Sequence, residues 1–476
     1  MKLRELTGRS FGEWDDLEVT GVANDTRHMK AGSAFVCIDG TVEDGHQYAK
    51  QALEKGAAVL ITQRDTGLSP QVIVEDTRKI YAEMCANYFG RPAEHLKLIG
   101  ITGTNGKTTT SYLIKEIFEA CGYKTGLIGT IQNMIGEEVL SAKNTTPDPY
   151  ELHSLLDLMY KAGCKVAVME VSSMALDQKR VEGLRFAAGI FTNLTQDHLD
   201  YHGTMENYLA AKQKLFAASD VSVVNLDDSY AGEVLRAAAG KTVTYSVKDS
   251  SADFQARAPR YRPDGVDFEF LSIGMIGRVH FPIPGAFSVY NALAAGAAAV
   301  SAGLPFAQVV EALSCAKGVK GRSEVVPTGR DFTIIIDYAH TPDALRNIIG
   351  SLNRIKGEGR LVTLFGCGGD RDKTKRPLMG AQAAQGSDFV IVTSDNPRSE
   401  DPAGIISDIL KGMKGTDTPY EVVSSRKEAI HYAVRHARPG DIILLAGKGH
   451  ETYQVLKDGT IHLDEREIVR EALEQN

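Results

Sequence analysis

The sequence predicts an α/β protein of three domains: a small N-terminal α/β unit over residues 1–91, a central P-loop-type unit with a parallel sheet over 92–320, and a C-terminal Rossmann-like, doubly wound unit over 321–476. Three observations lead there. A chain of 476 residues is too long for one hydrophobic core. Apolar strand-like runs alternate with helical periodicity through two long stretches, as in parallel sheets covered by helices. A glycine-rich loop, 103–108, lies between one such run and one such helix.

In the first unit, residues 33–38, 57–62 and 71–74 read as strands and 77–89 as a helix, closed by Gly90-Arg91-Pro92. In the second, strands are expected at 96–102, 125–130, 165–169, 189–192 and 221–225. A more polar insert, 242–281, reads as antiparallel strands, and the Ala- and Gly-rich helix after it, 290–302, permits close backbone approach to a neighbour. In the third, strands are expected at 332–336, 361–365, 389–393 and 441–445 with helices between them. No short-period repeat or low-complexity tract interrupts this order.

A net charge of −8 argues against a nucleic-acid surface, so any anion bound should be small and met in a cleft. The six cysteines (Cys37, Cys85, Cys121, Cys164, Cys315, Cys367) are scattered without a C-x-x-C pair and read as reduced thiols. Met1 to Glu5 lacks the apolar core of a signal peptide, and no run of about eighteen apolar residues could span a bilayer. The expectation is a cytoplasmic monomer with no nucleic-acid or membrane partner.

In open parallel sheets ligands bind beyond the carboxyl ends of the strands. Gly103-Thr104-Asn105-Gly106-Lys107-Thr108-Thr109 occupies such a place. Its backbone N–H groups can cradle phosphate at a helix N-terminus, Lys107 can reach the β- and γ-phosphates, and the Thr108 hydroxyl can ligate Mg²⁺. The generic P-loop pattern wants glycine where Ile101 stands. Glu170, ending another strand, offers the hard oxygen magnesium prefers. Asp197-His198-Leu199-Asp200-Tyr201-His202 concentrates two carboxylates and two imidazoles. On spacing alone Asp197 fits a helix cap with solvated histidines equally well; beside a phosphate loop the cluster reads as Mg²⁺ ligation and phosphate handling.

These motifs, with Glu170-Val171-Ser172-Ser173 and Asp337-Tyr338-Ala339-His340-Thr341-Pro342, resemble the Mur ligase family of ATP-dependent amino acid ligases across essentially the whole chain. That family's phosphate loop runs T-G-T-N-G-K-T and needs no earlier glycine. The resemblance implies two steps: a substrate carboxylate takes the γ-phosphoryl group of ATP, then an amine displaces phosphate from the acyl phosphate. It implies Lys107, Glu170, His198 and Lys212 as catalytic residues, with Thr108, Glu170 and His198 holding Mg²⁺. Asn291, Arg322 and Asp337 resemble the family's adenine, phosphate and ribose contacts. The segment 208–214 resembles the one bearing a carbamylated lysine, at Lys212, whose carbamate would add a metal ligand; without the resemblance Lys212 reads as a solvent-facing helical lysine.

Within the family, Asn144-Thr145-Thr146-Pro147-Asp148, Ser172 with Gln178 and Arg180, and Gly447-Lys448-Gly449-His450-Glu451 are similar to members that extend a UDP-MurNAc-dipeptide. Asn144, Thr145, Thr146, Ser172, Gln178 and Arg180 would then hold the acceptor. Asp25-Thr26-Arg27 and Asp44-Gly45-His46 would contact the UDP group, with Thr26 where serine is common. Asp395-Asn396-Pro397-Arg398 resembles the motif of members that add meso-diaminopimelate. A guanidinium, at Arg398 with Arg371 as second candidate, can bind the distal carboxylate that lysine lacks. Gly447 and Glu451 would receive the amino end. The plain alternative for Arg398 is a surface ion pair with Glu400 or Asp401. Rival activities are a lysine-adding ligase, a folylpolyglutamate synthase-like ligase, and a non-catalytic ATP-binding regulatory protein. ATP contacts split between Lys107 and Arg322 with Asp337 imply a cleft that closes over nucleotide.

Overall fold

The computed structural model describes residues 1–40, 43–262 and 265–475. The N-terminal unit is a four-stranded parallel sheet in the order β1 (Gly21–Ala23), β2 (Ser33–Val36), β3 (Val59–Thr62) and β4 (Gln71–Ile73). The helix Thr77–Tyr88 begins where Asp76 accepts the Lys79 amide and covers one face of this sheet with Ile80, Tyr81, Met84 and Cys85. Lys179 bonds Asp76 across the junction to the next unit, and Tyr88, Phe89 and Tyr150 cluster edge-on and stacked beside it.

The central unit is built on an eleven-stranded sheet. In chain order its strands are β5 (Lys97–Thr102), β6 (Thr125–Ile128), β7 (Asn133–Ile135), β8 (Glu138–Leu140), β9 (Val166–Glu170), β10 (Ala188–Phe191), β11 (Val221–Asn225), β12 (Lys241–Ser246), β13 (Phe254–Arg262), β14 (Gly265–Ser272) and β15 (Met275–Phe281). β6, β9, β5, β10, β11, β12 and β13 run parallel. The insert is therefore not antiparallel throughout, as the sequence suggests. Tyr245 and Ser246 pair in parallel with Phe254 and Gln255, and only β13, β14 and β15 alternate in direction. Polar composition marks half-exposed strands but not their direction, which long-range pairing decides. The helix Ala286–Ser301 starts four residues before the expected place, is buried along most of its length, and packs on Lys107–Ala120. A Cβ on its Gly296 would stand 2.9 Å from the ring of Phe270, so glycine permits that approach.

The C-terminal unit has β16 (Glu324–Val326), β17 (Thr333–Asp337), β18 (Leu361–Phe365), β19 (Phe389–Val392), β20 (Tyr420–Val422) and β21 (Ile442–Ala446) in the order β16-β17-β21-β18-β19-β20, with a separate hairpin β22 (Tyr453–Leu456) and β23 (Gly459–His462). Only β16 is antiparallel in the six-stranded sheet. Ile335, Phe365 and Leu444 face one helical layer while Ile334, Ile336 and Leu445 face the other, the alternation a doubly wound sheet requires.

His153, on the helix Pro149–Lys161, is 1% exposed and its Nδ1 finds no partner among the described residues. Burial, helped by the charge of Arg91, lowers its pKa from 6.5 to about 4. The unfolded chain therefore binds the extra proton first, and stability present above pH 6.5 is lost as pH falls toward 4. The loss from this group by pH 5 is about 2 kcal/mol. Urea unfolding at pH 7 and pH 5 should show it, with a flatter pH dependence in His153→Leu; an equally steep dependence in the variant would assign the loss elsewhere.

Candidate active site

The phosphate loop is held in place before any ligand arrives. Gly103 has φ +151°, and a Cβ there would lie 1.9 Å from the Thr192 hydroxyl; Gly106, at φ +86°, caps the helix Lys107–Ala120, and a Cβ there would lie 2.6 Å from Asn291 Oδ1. The Asn105 amide donates to Asn193 Oδ1 at 2.9 Å, and Thr104 Oγ1 contacts the Thr195 carbonyl and the Tyr208 hydroxyl, each at 3.2 Å. Lys107 Nζ donates to the carbonyls of Gly103 and Thr104, so its ammonium lies curled over the loop.

Glu170 closes β9 and is fully buried. Its Oε2 accepts from Thr108 Oγ1 and Thr130 Oγ1, both at 3.0 Å, and Oε1 from the Thr130 amide at 2.9 Å. One carboxylate thus ties the phosphate loop to the end of β6. Thr130 also bonds Thr145 at 3.0 Å, and Thr146 donates to the Glu170 carbonyl at 2.8 Å while accepting from the Ser172 amide at 3.0 Å. Arg180 donates to the Thr146 carbonyl and grips Gln178 Oε1 through two nitrogens.

Lys212 is 1% exposed, not solvent-facing. Its helix, Met205–Ala217, turns it inward with Tyr208, whose ring centroid is 4.4 Å from the lysine nitrogen. Burial first, and the charge of Lys107 second, push its pKa well down. Burial likewise lowers Lys107 and His198. Asp197, 3.5 Å from His198, is held below its ordinary value by that imidazole although burial opposes it.

Thr104 to Thr109, Asn144 to Thr146, Glu170, Ser172, Arg180, His198, Lys212, Asn291, Arg322 and Asp337 line one cavity of about 870 Å³. Across the domain junction Arg322 Nη2 donates to Thr108 Oγ1 at 3.2 Å, and its guanidinium lies 4.6 Å from the ring centroid of Tyr338. Asp337 accepts from the Ser323 and Ala339 amides at 2.7 and 2.8 Å, and burial raises its pKa. A second cavity of about 840 Å³ is lined by Asp25, Thr26, Arg27, Gly45, Gln178 and Arg180 among others, and shares Asn144 and Arg180 with the first. Asp44 and His46 do not line it: His46 is buried, bonded through Nδ1 to Asp44 at 2.6 Å and through Nε2 to the Gln63 amide at 3.0 Å.

Arg371, Asp395 to Arg398, Gly447 and Glu451 gather beyond the ends of β18, β19 and β21, outside the lining of both cavities. Arg398 has φ +53° and donates through Nη1 to the Gly369 carbonyl at 2.8 Å; among the described residues it makes no ion pair. Glu400 instead pairs with Arg376 at 2.8 Å and Lys373 at 3.2 Å, and Asp401 caps the helix Pro402–Met413. A Cβ on Gly368 would touch both Arg398 and Arg371, so the two guanidinium stems are neighbours. Glu451 accepts from Asn396 at 2.9 Å and from fully buried Lys448 at 2.7 Å. Gln454 and Val455 of β22 bond the Asp395 carbonyl and Asn396 Oδ1, so the hairpin latches this loop.

Several residues that organise the site are absent from the sequence-derived set: Thr130, Asn193, Tyr208, Lys448 and Gln454. Four lie within or beside quoted motifs, and only their polar character could have flagged them. Gln454 had no signal, because its role depends on a hairpin too short to read.

A glycine-built phosphate loop facing a second doubly wound domain defines a nucleotide-dependent enzyme. Residues 101–299 match the Mur ligase middle domain, 321–449 the Mur ligase glutamate ligase domain, and 18–88 the catalytic domain of the Mur ligase family. The chain belongs to the Mur ligase family. It is 47% identical, over 97% of its length and 96% of the relative, to the UDP-N-acetylmuramoyl-L-alanyl-D-glutamate--2,6-diaminopimelate ligase of Caldanaerobacter subterraneus, and 44% identical over 98% and 97% to that of Clostridium botulinum. A solved structure of a ligase of the same description superposes with a TM-score of 0.75 at 33% identity, covering 100% of this chain and 99% of that one.

Replacing Gly103 by alanine should weaken ADP binding roughly tenfold to a hundredfold, because a Cβ displaces the loop from Thr192. Gly122→Ala, at a positive φ of +85° where a Cβ meets nothing within 4 Å, should leave it within about twofold. Calorimetric titration of both variants reads the difference; equal effects would mean that strain, not the Thr192 contact, decides.

Proposed function

We infer that this chain joins meso-diaminopimelate to UDP-MurNAc-L-Ala-D-Glu, with ATP converted to ADP and phosphate. The observation that carries the reading is the ion-pair-free guanidinium of Arg398 beside Arg371 at the strand ends of the last domain. The names of the full-length relatives support it. Their full-length match, with residues 18–88 included, weighs against the folylpolyglutamate alternative.

The UDP group lies along Asp25, Thr26, Arg27 and Gly45, with Asp44 and His46 shaping that wall. The acceptor peptide runs past Asn144, Thr145, Thr146, Ser172, Gln178 and Arg180 toward the phosphate loop. ATP binds over Gly103 to Thr109 with Lys107 on its phosphates, and Asn291, Arg322 and Asp337 complete its site. The terminal carboxylate attacks the γ-phosphorus, ADP leaves, and the amine then adds to the acyl carbon; the tetrahedral adduct collapses with loss of phosphate and a proton.

Magnesium suits the donors present: Glu170 and Thr108 supply oxygens and His198 a neutral imidazole, and this ion needs only one or two carboxylates beside phosphate. Bound there, it would neutralise charge on the transferring phosphoryl group. Lys212, buried and, among the described residues, not hydrogen-bonded to a carboxylate, is suited to be a free amine that combines with CO₂ to give a carbamate and a proton. The carbamate anion would answer the charge of Lys107 and complete the metal's donors.

ADP release measured with UDP-MurNAc-dipeptide and either diaminopimelate or lysine tests the assignment. The wild type should use diaminopimelate, and Arg398→Ala should lower kcat/KM for it roughly a hundredfold by removing a charge-assisted pair. Preference of the wild type for lysine would overturn it. Protein supplied with ¹³C-bicarbonate should give a carbamate carbon resonance that Lys212→Arg lacks; full activity without that resonance would reject the modification.

A further inference from the structure

Arg426 and Glu465 open two helices, Arg426–Arg435 and Glu465–Glu474, that pack together on one face of the C-terminal sheet. Both side chains are completely withdrawn from solvent, and Arg426 Nε donates to Glu465 Oε1 at 2.8 Å. Nη2 lies 2.8 Å from the same oxygen, and both terminal nitrogens also reach backbone carbonyls. Nη2 donates to the Ala446 carbonyl at 2.7 Å and Nη1 reaches the Ser394 carbonyl at 3.5 Å. Ala446 ends β21 immediately before Gly447, and Ser394 immediately precedes Asp395.

Desolvating two charges is costly, and apolar side chains of similar volume would hold the two helices together at least as well. They could not donate to two strand-end carbonyls at once. Nor do the loops beyond those carbonyls have room to drift. β18 lies between β19 and β21, and a Cβ on Gly366 at its end would stand 2.4 Å from the Thr393 carbonyl and 2.8 Å from the Asp395 amide. A Cβ on Gly447 would stand 2.8 Å from Asp395 Oδ2. Past these contacts the same two loops supply Asn396, Lys448 and Glu451, joined at 2.7 to 3.1 Å.

We propose that Arg426, with Glu465 as its counter-ion, is a positioning residue for the amino acid substrate: its fork fixes the separation of the loop 395–398 from the loop 447–451. The inference rests on the reading that these loops bind diaminopimelate. Arg426 touches neither nucleotide site nor phosphate loop, so its removal acts on one substrate of three.

The test is steady-state kinetics with each substrate varied in turn, together with hydroxylamine trapping of the acyl phosphate formed from ATP and UDP-MurNAc-dipeptide, which needs no amino acid. Arg426→Lys keeps the charge and loses the fork. It should raise KM for diaminopimelate about tenfold or more while KM for ATP and for the UDP-dipeptide, and the trapping rate, stay within about twofold. Glu465→Gln keeps both carbonyl bonds and should change the diaminopimelate KM less than about threefold. The double variant R426Q/E465Q leaves no unpaired buried charge, so it stands in should Arg426→Lys not fold, and its diaminopimelate KM should rise likewise. Parallel movement of all three KM values, or an unchanged diaminopimelate KM in either fork-less variant, overturns the inference. Failure of the wild type to ligate diaminopimelate while still trapping hydroxamate overturns the functional reading itself, and appears before any substitution is made.

Discussion

Two lysines brought into one buried cleft set the terms for the rest of this molecule. Burial disfavours the ammonium form of both Lys107 and Lys212, and the charge of Lys107 adds to the effect on Lys212. The fully buried carboxylate beside the phosphate loop, Glu170, is already shared among Thr108 and Thr130. Lys107 curls onto two carbonyls and Lys212 rests on the Tyr208 ring, so among the described residues neither ammonium is bonded to a carboxylate. The proposed triphosphate and carbamate would answer these two cations.

Such an arrangement would be useless if the donors could wander, and glycines are what prevent it. Gly103 and Gly106 let the phosphate loop lie against Thr192 and Asn291, and Gly321 and Gly449 let the interdomain linker lie against the loop 447–451 so closely that a Cβ on Gly321 would be 2.1 Å from the His450 amide. Arg322 follows that linker and spans from Thr108 to the ring of Tyr338. Arg322 thus ties the phosphate loop to the residue that follows β17. Asn105 and Asp343, 3.4 Å apart, add a second bridge across the same junction. The phosphate loop and the last domain are thus joined through packed contacts, in which a small shift at one end has to be accommodated at the other.

Much of this was legible in the chain because strand ends and loop chemistry are local properties. The runs 221–225 and 361–365 coincide with β11 and β18, and the motifs after β5, β9, β17, β19 and β21 fall where ligands meet such sheets. What failed to show were properties set by distant partners. The direction of β12 against β13 depends on pairing, not composition. The burial of Lys212 depends on the helix Met205–Ala217 turning toward the phosphate loop, which no short window reveals. The Arg426–Glu465 pair joins residues thirty-nine apart at what look like two ordinary solvated helix starts.

The same logic explains why Arg398 stands without an acidic partner in a loop rich in acids. Glu400, two residues on, is drawn away by Arg376, which is 1% exposed and also bonds Asp408 at 3.0 Å. Glu400 further accepts the Asp370 amide at 2.6 Å, which pins the loop bearing Arg371. Asp401 is occupied at a helix start, and Asp370 at Ser399. Glu400, Asp401 and Asp370 are thus each hydrogen-bonded to other partners, and Arg398 holds a left-handed φ of +53° with its guanidinium on the Gly369 carbonyl. A ligand with a distal carboxylate satisfies that cation; one ending in an ammonium alone adds a second positive charge beside it. On the proposed reading, Arg376 supports selection of diaminopimelate over lysine by holding Glu400, which leaves Arg398 for the distal carboxylate.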